Sequence, residues 1–192
     1  MNLTTLLTET VRIFIILLPA YVANPLAVLF GGGTPVDFKR YWKDGRRILG
    51  DGKTWRGLFG GTLSGGVVGI VVVFLLDGRT SFFTVREIYG GWDYFIFISF
   101  WLAFGGLMGD MLGSFIKRRL GLKRGEKAPG LDQWDFIIGA FLLLLFIPSF
   151  VIRNFLSITS AVALLILLLL TPSIHRAVNI VGYRLGLKKE PW

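Results

Sequence analysis

Apolar residues in this chain run in long blocks separated by charged stretches. Five blocks stand out, over residues 11–30, 58–76, 94–116, 136–152 and 155–170. A run of about 17–25 apolar residues satisfies its own backbone hydrogen bonds as a helix and crosses a hydrocarbon core of about 30 Å. The predicted fold is therefore all-α, a polytopic integral membrane protein with about five transmembrane helices, read as one membrane-embedded domain over residues 1–192. Only Arg153 and Asn154 part the last two blocks, which predicts a tight helical hairpin there, with one re-entrant element as the alternative. Pro19, Asn24 and Pro25 lie in the first block, and Pro25 is expected to open that helix. Gly60, Gly61, Gly65, Gly66 and Gly69 in the second predict close helix packing. Past the fifth block, Ile174, Val178, Val181 and Leu185 recur at helical spacing with basic flanks. They predict either a helix lying along the membrane interface or an anchor for the last span.

Composition agrees with this reading. Hydrophobic residues make up 53% of the chain and mean hydropathy is +0.64, too apolar for an ordinary soluble domain. The net charge of +9 would suggest nucleic acid in a soluble protein. Here its placement matters more. Seventeen of the 21 Lys and Arg fall in three regions: Lys39 to Arg56, Lys117 to Lys127, and a tail with Arg176, Arg184, Lys188 and Lys189. Basic loops gather in the cytoplasm, so the N-terminus is expected outside and the C-terminus cytoplasmic, with no nucleic-acid partner. Five spans put all three regions on one side, so charge and span count support each other. The expected location is the plasma membrane, multi-pass, with the site facing the cytoplasm. Residues 1–10 carry Glu9 and no basic residue, so they do not read as a signal peptide.

The chain has no cysteine and one histidine, His175. Disulfides, a thiol nucleophile and a multi-His metal site are excluded. Carboxylates would have to hold any metal, which favours a hard cation such as Mg²⁺.

The acids are few, so their positions carry information. Asp110 lies late in the third block, where an unpaired acid costs several kcal/mol. Asp110, Ser114 and Lys117 share one helical face, so Asp110 either forms an ion pair, with Lys117 or a neighbouring helix, or serves a site. Asp132 and Asp135 stand three apart at the start of the fourth block. They fit a divalent cation, or equally a helix cap and a dipole partner. Between these acids runs a basic stretch, Lys117, Arg118, Arg119, Lys123 and Arg124. Carboxylates, cations and a membrane surface in one place suit phosphoryl transfer. Gly52, Lys53, Thr54 and Arg56 enter the second block, where a helix N-terminus and two cations suit phosphate. A P-loop is excluded because Arg47 stands where its first glycine belongs. Asn24 reads as a contact to a nucleotide or another polar ligand, or as an interhelical hydrogen bond. A transporter is the rival class, resting on the intramembrane polar residues Asn24 and Asp110.

Gly109-Asp110, then Ser114-Phe115-Ile116-Lys117-Arg118, Lys123, Pro129-Gly130 and Asp132-Gln133-Trp134-Asp135 resemble the C-terminal signature of the CDP-diacylglycerol synthases (phosphatidate cytidylyltransferases). Arg124 and Gln133 stand where that signature has Asp and Arg. Gly31-Gly32-Gly33-Thr34-Pro35 and the stretch from Asp44 to Gly57 resemble the family's archaeal branch, whose product is CDP-archaeol. The resemblance covers essentially the whole chain. It implies transfer of CMP from CTP to an isoprenoid ether lipid phosphate, 2,3-di-O-geranylgeranylglyceryl phosphate, with Mg²⁺ as cofactor. It further implies Asp110, Lys117 and Asp132 as catalytic groups, with Mg²⁺ on Asp110, Asp132 and Asp135. Ser114, Lys117, Arg118 and Lys123 would meet the lipid phosphate. Gly52, Lys53, Thr54 and Arg56, with Asn24, would hold the nucleotide. Membrane lipids would surround the spans.

Overall fold

The structure, a computed structural model, describes residues 2–80, 82–123, 125–184 and 186. Arg124, Leu185, Lys188 and Lys189, which entered the charge and periodicity arguments above, lie outside the described residues. Seven helices follow in order: α1 (Leu3–Leu29), α2 (Trp55–Leu76), α3 (Val85–Tyr89), α4 (Trp92–Arg119), α5 (Leu131–Leu144), α6 (Pro148–Phe155) and α7 (Ile158–Arg184). Among the described residues there is no β-strand, only three isolated bridges. By length and composition α1, α2, α4 and α7 each suffice to cross a membrane, and α5 with α6 makes a fifth candidate. The chain is a polytopic, all-helical membrane protein.

Helix α1 sits at the centre, against α2, α4, α5 and α7. It runs unbroken through Pro19 and Pro25, contrary to the expected opening at Pro25. Each proline removes one backbone donor, a loss that helices packed in a membrane bundle commonly tolerate. The α1–α2 seam is built from glycines four residues apart. A Cβ on Gly61 would lie 2.9 Å from the Ala23 carbonyl oxygen, and one on Gly65 would lie 2.9 Å from that of Pro19. Gly57 approaches the Ala27 carbonyl in the same way, and Gly69 meets the Pro19 ring. Backbones this close gain dispersion and Cα–H···O contacts that no larger residue permits. The expected close packing is present, on the stripe 57, 61, 65 and 69.

The fourth block departs from expectation. Helix α5 starts at Leu131 and stops at Leu144, after which the chain bends by 119° into α6. Pro148 at the first turn of α6 explains the restart: it cannot extend α5, but its fixed φ suits a helix start. The predicted hairpin at Arg153 and Asn154 is therefore absent, because both residues lie within α6. Asn154 is buried, accepts from Arg12 Nη1 at 2.8 Å and donates to the Ile88 carbonyl at 3.1 Å. Arg12 also bonds Glu9, which accepts from Ser160 Oγ at 2.6 Å. This network ties α1, α3, α6 and α7 together at one end of the bundle. Of the two readings for the segment after the fifth block, the separate interfacial helix is absent and the segment extends the last span, since α7 continues through Pro172 to Arg184.

Candidate active site

The end of the bundle opposite the Arg12 network carries the α1–α2 and α4–α5 loops, and there the basic regions meet. Arg46 Nη1 donates to the Arg119 carbonyl at 2.6 Å, and Arg119 pairs with Asp44 at 2.8 Å. The two loops thus share one side of the bundle, as their charge predicted.

Asp37, which sequence reasoning passed over, organises the first loop. Its side chain is fully buried and accepts from Arg47 Nη2 at 2.9 Å and from the amides of Lys39, Leu49 and Gly50 at 3.0 Å each. Burial alone would raise its pKa. Arg47 and the three amides outweigh burial and hold the carboxyl at about 2. The signal in the sequence was a single acid early in a strongly basic loop. Phe38 and Lys39 beside it take φ of 49° and 62°, uncommon for residues with a Cβ. At the loop's base Val36 N donates to Lys53 O at 2.8 Å and Trp55 N to Thr34 O at 3.1 Å. These bonds deliver Lys53 and Thr54 to the head of α2. Thr54 is its N-cap and accepts from Gly57 N at 3.1 Å.

Behind the loop lies a polar cavity of about 400 Å³. Asn24, Gly31, Gly52, Lys53, Thr54 and Asp110 line it, with an apolar floor of Leu58, Leu107 and Met111. Gly32, also in its wall, has φ +93°, a conformation that favours glycine. Lys53 Nζ forms an ion pair with Asp110 Oδ2 across the cavity. Asp110 therefore pairs with Lys53 rather than with Lys117 on its own helix. Asn24 Oδ1 is buried and has no hydrogen-bond partner among the described residues.

The other acids stand beside it. Lys117 Nζ forms an ion pair with Asp132 Oδ1, and Asp132 Oδ2 accepts from Ala128 N at 2.9 Å. The N-cap of α5 is Gly130, so Asp132 is not the cap. Asp135 is only 7% exposed. Its carboxylate lies on Gly113, three residues after Asp110, and its backbone carbonyl on Gly109, the residue before Asp110. Glycine at 109 and 113 is what lets α5 approach so closely. Among the described residues Asp135 makes no ion pair.

Some predicted contacts are not brought together. Arg56 is exposed, packs along Gly33 and does not line the cavity. Ser114 is buried on α4, Arg118 donates to the Leu122 carbonyl, and Lys123 is exposed. None of these three lines the cavity either.

Among the described residues, no three acidic or histidine side chains form a ready-made metal cage. Asp110 is paired with Lys53 and Asp132 with Lys117, while the Asp135 carboxylate lies against Gly113, three residues along α4 from Asp110. Mg²⁺ normally takes one or two carboxylates, water and substrate phosphates rather than an all-protein cage. The donor set of Asp110, Asp132 and Asp135 fits such an ion.

Known proteins resemble this chain over nearly its whole length. The model of the CDP-archaeol synthase (CarS-like) family matches residues 4–192. The CDP-archaeol synthase of Pyrococcus horikoshii is 45% identical over 97% of this chain and 99% of its own length. That of Methanoregula boonei is 47% identical over 92% of this chain and 100% of its own. A solved structure of an intramembrane enzyme for archaeal membrane lipid biosynthesis superposes with a TM-score of 0.59. It is 36% identical and covers 82% of this chain and 91% of that one. Built on a polar cavity with Lys53 and Asp110 across it, this chain belongs to the CDP-archaeol synthase family.

Proposed function

We propose that the chain, acting as one membrane-embedded unit, transfers CMP from CTP to the phosphate of 2,3-di-O-geranylgeranylglyceryl phosphate, forming unsaturated CDP-archaeol and pyrophosphate. The observation that carries this reading is the convergence of two separate motifs on one cavity, Lys53 from the α1–α2 loop and Asp110 from α4.

CTP occupies the cavity with its triphosphate at the head of α2. Lys53 exchanges its Asp110 partner for phosphate oxygens, aided by backbone amides near Gly52. Asn24 Oδ1 accepts from the nucleotide. Asp110, released from Lys53, would hold Mg²⁺ with Asp132, and Asp135 would support them. A bound Mg²⁺ would supply charge neutralisation on the phosphate oxygens. Lys117 and Arg118 orient the lipid phosphate, while Ser114 and Lys123 play supporting parts from outside the cavity. A lipid phosphate oxygen attacks the α-phosphorus in line, one P–O bond forms, and the bond to the pyrophosphate bridge breaks. The attacking oxygen is already anionic, so no general base is required. The cavity end faces the cytoplasm, where CTP is made, as the basic loops predict.

The test is transfer of labelled CMP by the purified protein, with Mg²⁺ and with EDTA, offered the geranylgeranyl ether phosphate and a diacyl phosphatidate. Mg²⁺-dependent product with the ether lipid supports the proposal. Product from the diacyl lipid alone would assign the chain a general phosphatidate substrate instead. No product from folded protein would favour the transporter.

A further inference from the structure

A second cavity, about 300 Å³ and mainly apolar, lies between α1, α5 and α7. Its α1 wall is Phe14, Leu18, Tyr21, Val22 and Pro25, one face of the helix. Its α7 wall is a stripe of Ile174, His175, Val178 and Asn179. The two cavities share one residue, Asn24. We propose that this groove is the binding site for the acceptor lipid, with Asn24 as the wall where lipid and nucleotide meet. The inference rests on the reading of the chain as a CMP transferase and adds where its second substrate sits.

Three features point to a glycerol lipid carrying a phosphate rather than to a plain hydrocarbon. The first is polarity along the groove. Phe14 is ten residues from Asn24, about 15 Å at the helical rise. The end near the middle of α1 is apolar, and the other end is bounded by Asn24, which also lines the Lys53–Asp110 cavity. A molecule with hydrocarbon tails and a charged head matches that gradient in one orientation only, with the phosphate toward Lys53.

The second is the set of polar groups within an otherwise apolar wall. Asn179 is buried, and its Nδ2 lies 3.2 Å from His175 Nδ1. Tyr21 and Thr171 hydroxyls bond at 2.6 Å across α1 and α7. Polar side chains at membrane depth are costly and mark ligand paths. Here they flank the height at which the glycerol ether oxygens would lie. They also account for the basic-flanked helical segment after the fifth block, which nothing in the transfer chemistry uses.

The third is the position of Asn24. Its buried Oδ1 has no partner among the described residues, and its side chain borders both spaces. One residue is thus placed to hold the attacking and the attacked molecule in register. Such positioning is a large share of catalysis for a reaction with little covalent work left to the protein.

The test fills the groove. Val178 is 37% exposed on its rim, so Val178→Trp should fold. The expected result is a KM for the geranylgeranyl ether phosphate raised roughly tenfold, the scale of a few lost methylene contacts, with the KM for CTP within about twofold of the parent. Asn24→Leu should raise both KM values. An unchanged lipid KM in Val178→Trp, or an equal rise for CTP, overturns the proposal. Lipid retention without CTP, read by native mass spectrometry, separates this inference from the transferase reading. If the parent shows no transfer, it must still retain the ether lipid phosphate while Val178→Trp releases it. Equal retention by both would also overturn the groove assignment.

Discussion

Lys53 and Asp110 illustrate how much one contact decides at this site. The two residues are 57 positions apart and face each other across the cavity. Removing one member of such a pair strands the other in a partly buried setting. Asp110→Asn should lower CMP transfer by about 100-fold or more, while the protein still elutes as a folded species in detergent. Full activity in that variant would remove Asp110 from the chemistry. Lys53→Ala should raise the KM for CTP more than that for the lipid, in steady-state kinetics with each substrate varied. Asp37 makes a different prediction. Its ordinary value is 3.8 and its folded value about 2. A lowered pKa contributes stability that is complete above about pH 4 and is lost as pH falls toward 2. Limited proteolysis of the α1–α2 loop should therefore accelerate across that window. In Asp37→Asn the loop should be cut faster at neutral pH, with little further change on acidification.

At the level of elements, the close seams are the vulnerable points. Gly65 sits under the Pro19 carbonyl and against Ala23 and Ala103, so a side chain there collides with backbone that cannot move aside. Gly65→Val should lower stability by about 1–3 kcal/mol, the usual cost of overpacking, read as a drop in Tm in detergent. Gly78→Ala, at a turn with open space around it, isolates the cost of a φ of 68° without any packing clash. The α4–α5 seam is as tight at Gly109 and Gly113, and it sets the depth of Asp135. Pro148 has a matching role in the other direction. It ends the climb of α5 and turns the chain into α6, where Asn154 reaches Arg12.

For the whole molecule, the prediction concerns sidedness. The chain has no cysteine, so one introduced thiol reports its location without background. In right-side-out vesicles Glu87→Cys, exposed on α3, should react with an impermeant maleimide. Lys43→Cys, exposed in the α1–α2 loop, should react only after the membrane is opened. The opposite pattern would turn the cavity to the outside and end the argument for CTP access from the cytoplasm.

Burial in lipid made much of this protein legible from its sequence. A bilayer forces each apolar block into a helix, and the basic residues then group Lys39 to Arg56 with Lys117 to Lys127. Asp110, Lys53, Asp132 and Asp135 could be singled out because acids and phosphate-binding cations are rare in such a chain and cost energy wherever they lie. Pairing was not legible. Helical spacing left Asp110 either Lys117 or a neighbouring helix as its partner, and the fold gave it Lys53 at the head of α2 and left Lys117 for Asp132. Arg56, one turn from Lys53 on paper, points away because the loop before α2 sets the rotation of that helix. The hairpin at Arg153 was misjudged because Pro148, visible in the sequence, restarts the helix before that point. The opening at Pro25 does not occur because α1 continues through that proline. The importance of Asp37 was missed because its partners, Arg47 and the amides of Lys39, Leu49 and Gly50, meet only when the irregular loop folds back on itself. The sequence determined the helices, the shared side of the basic loops and the stock of reactive groups. The tertiary structure alone decided which groups face one another, because long-range contacts between helices, not local periodicity, set their rotation and depth.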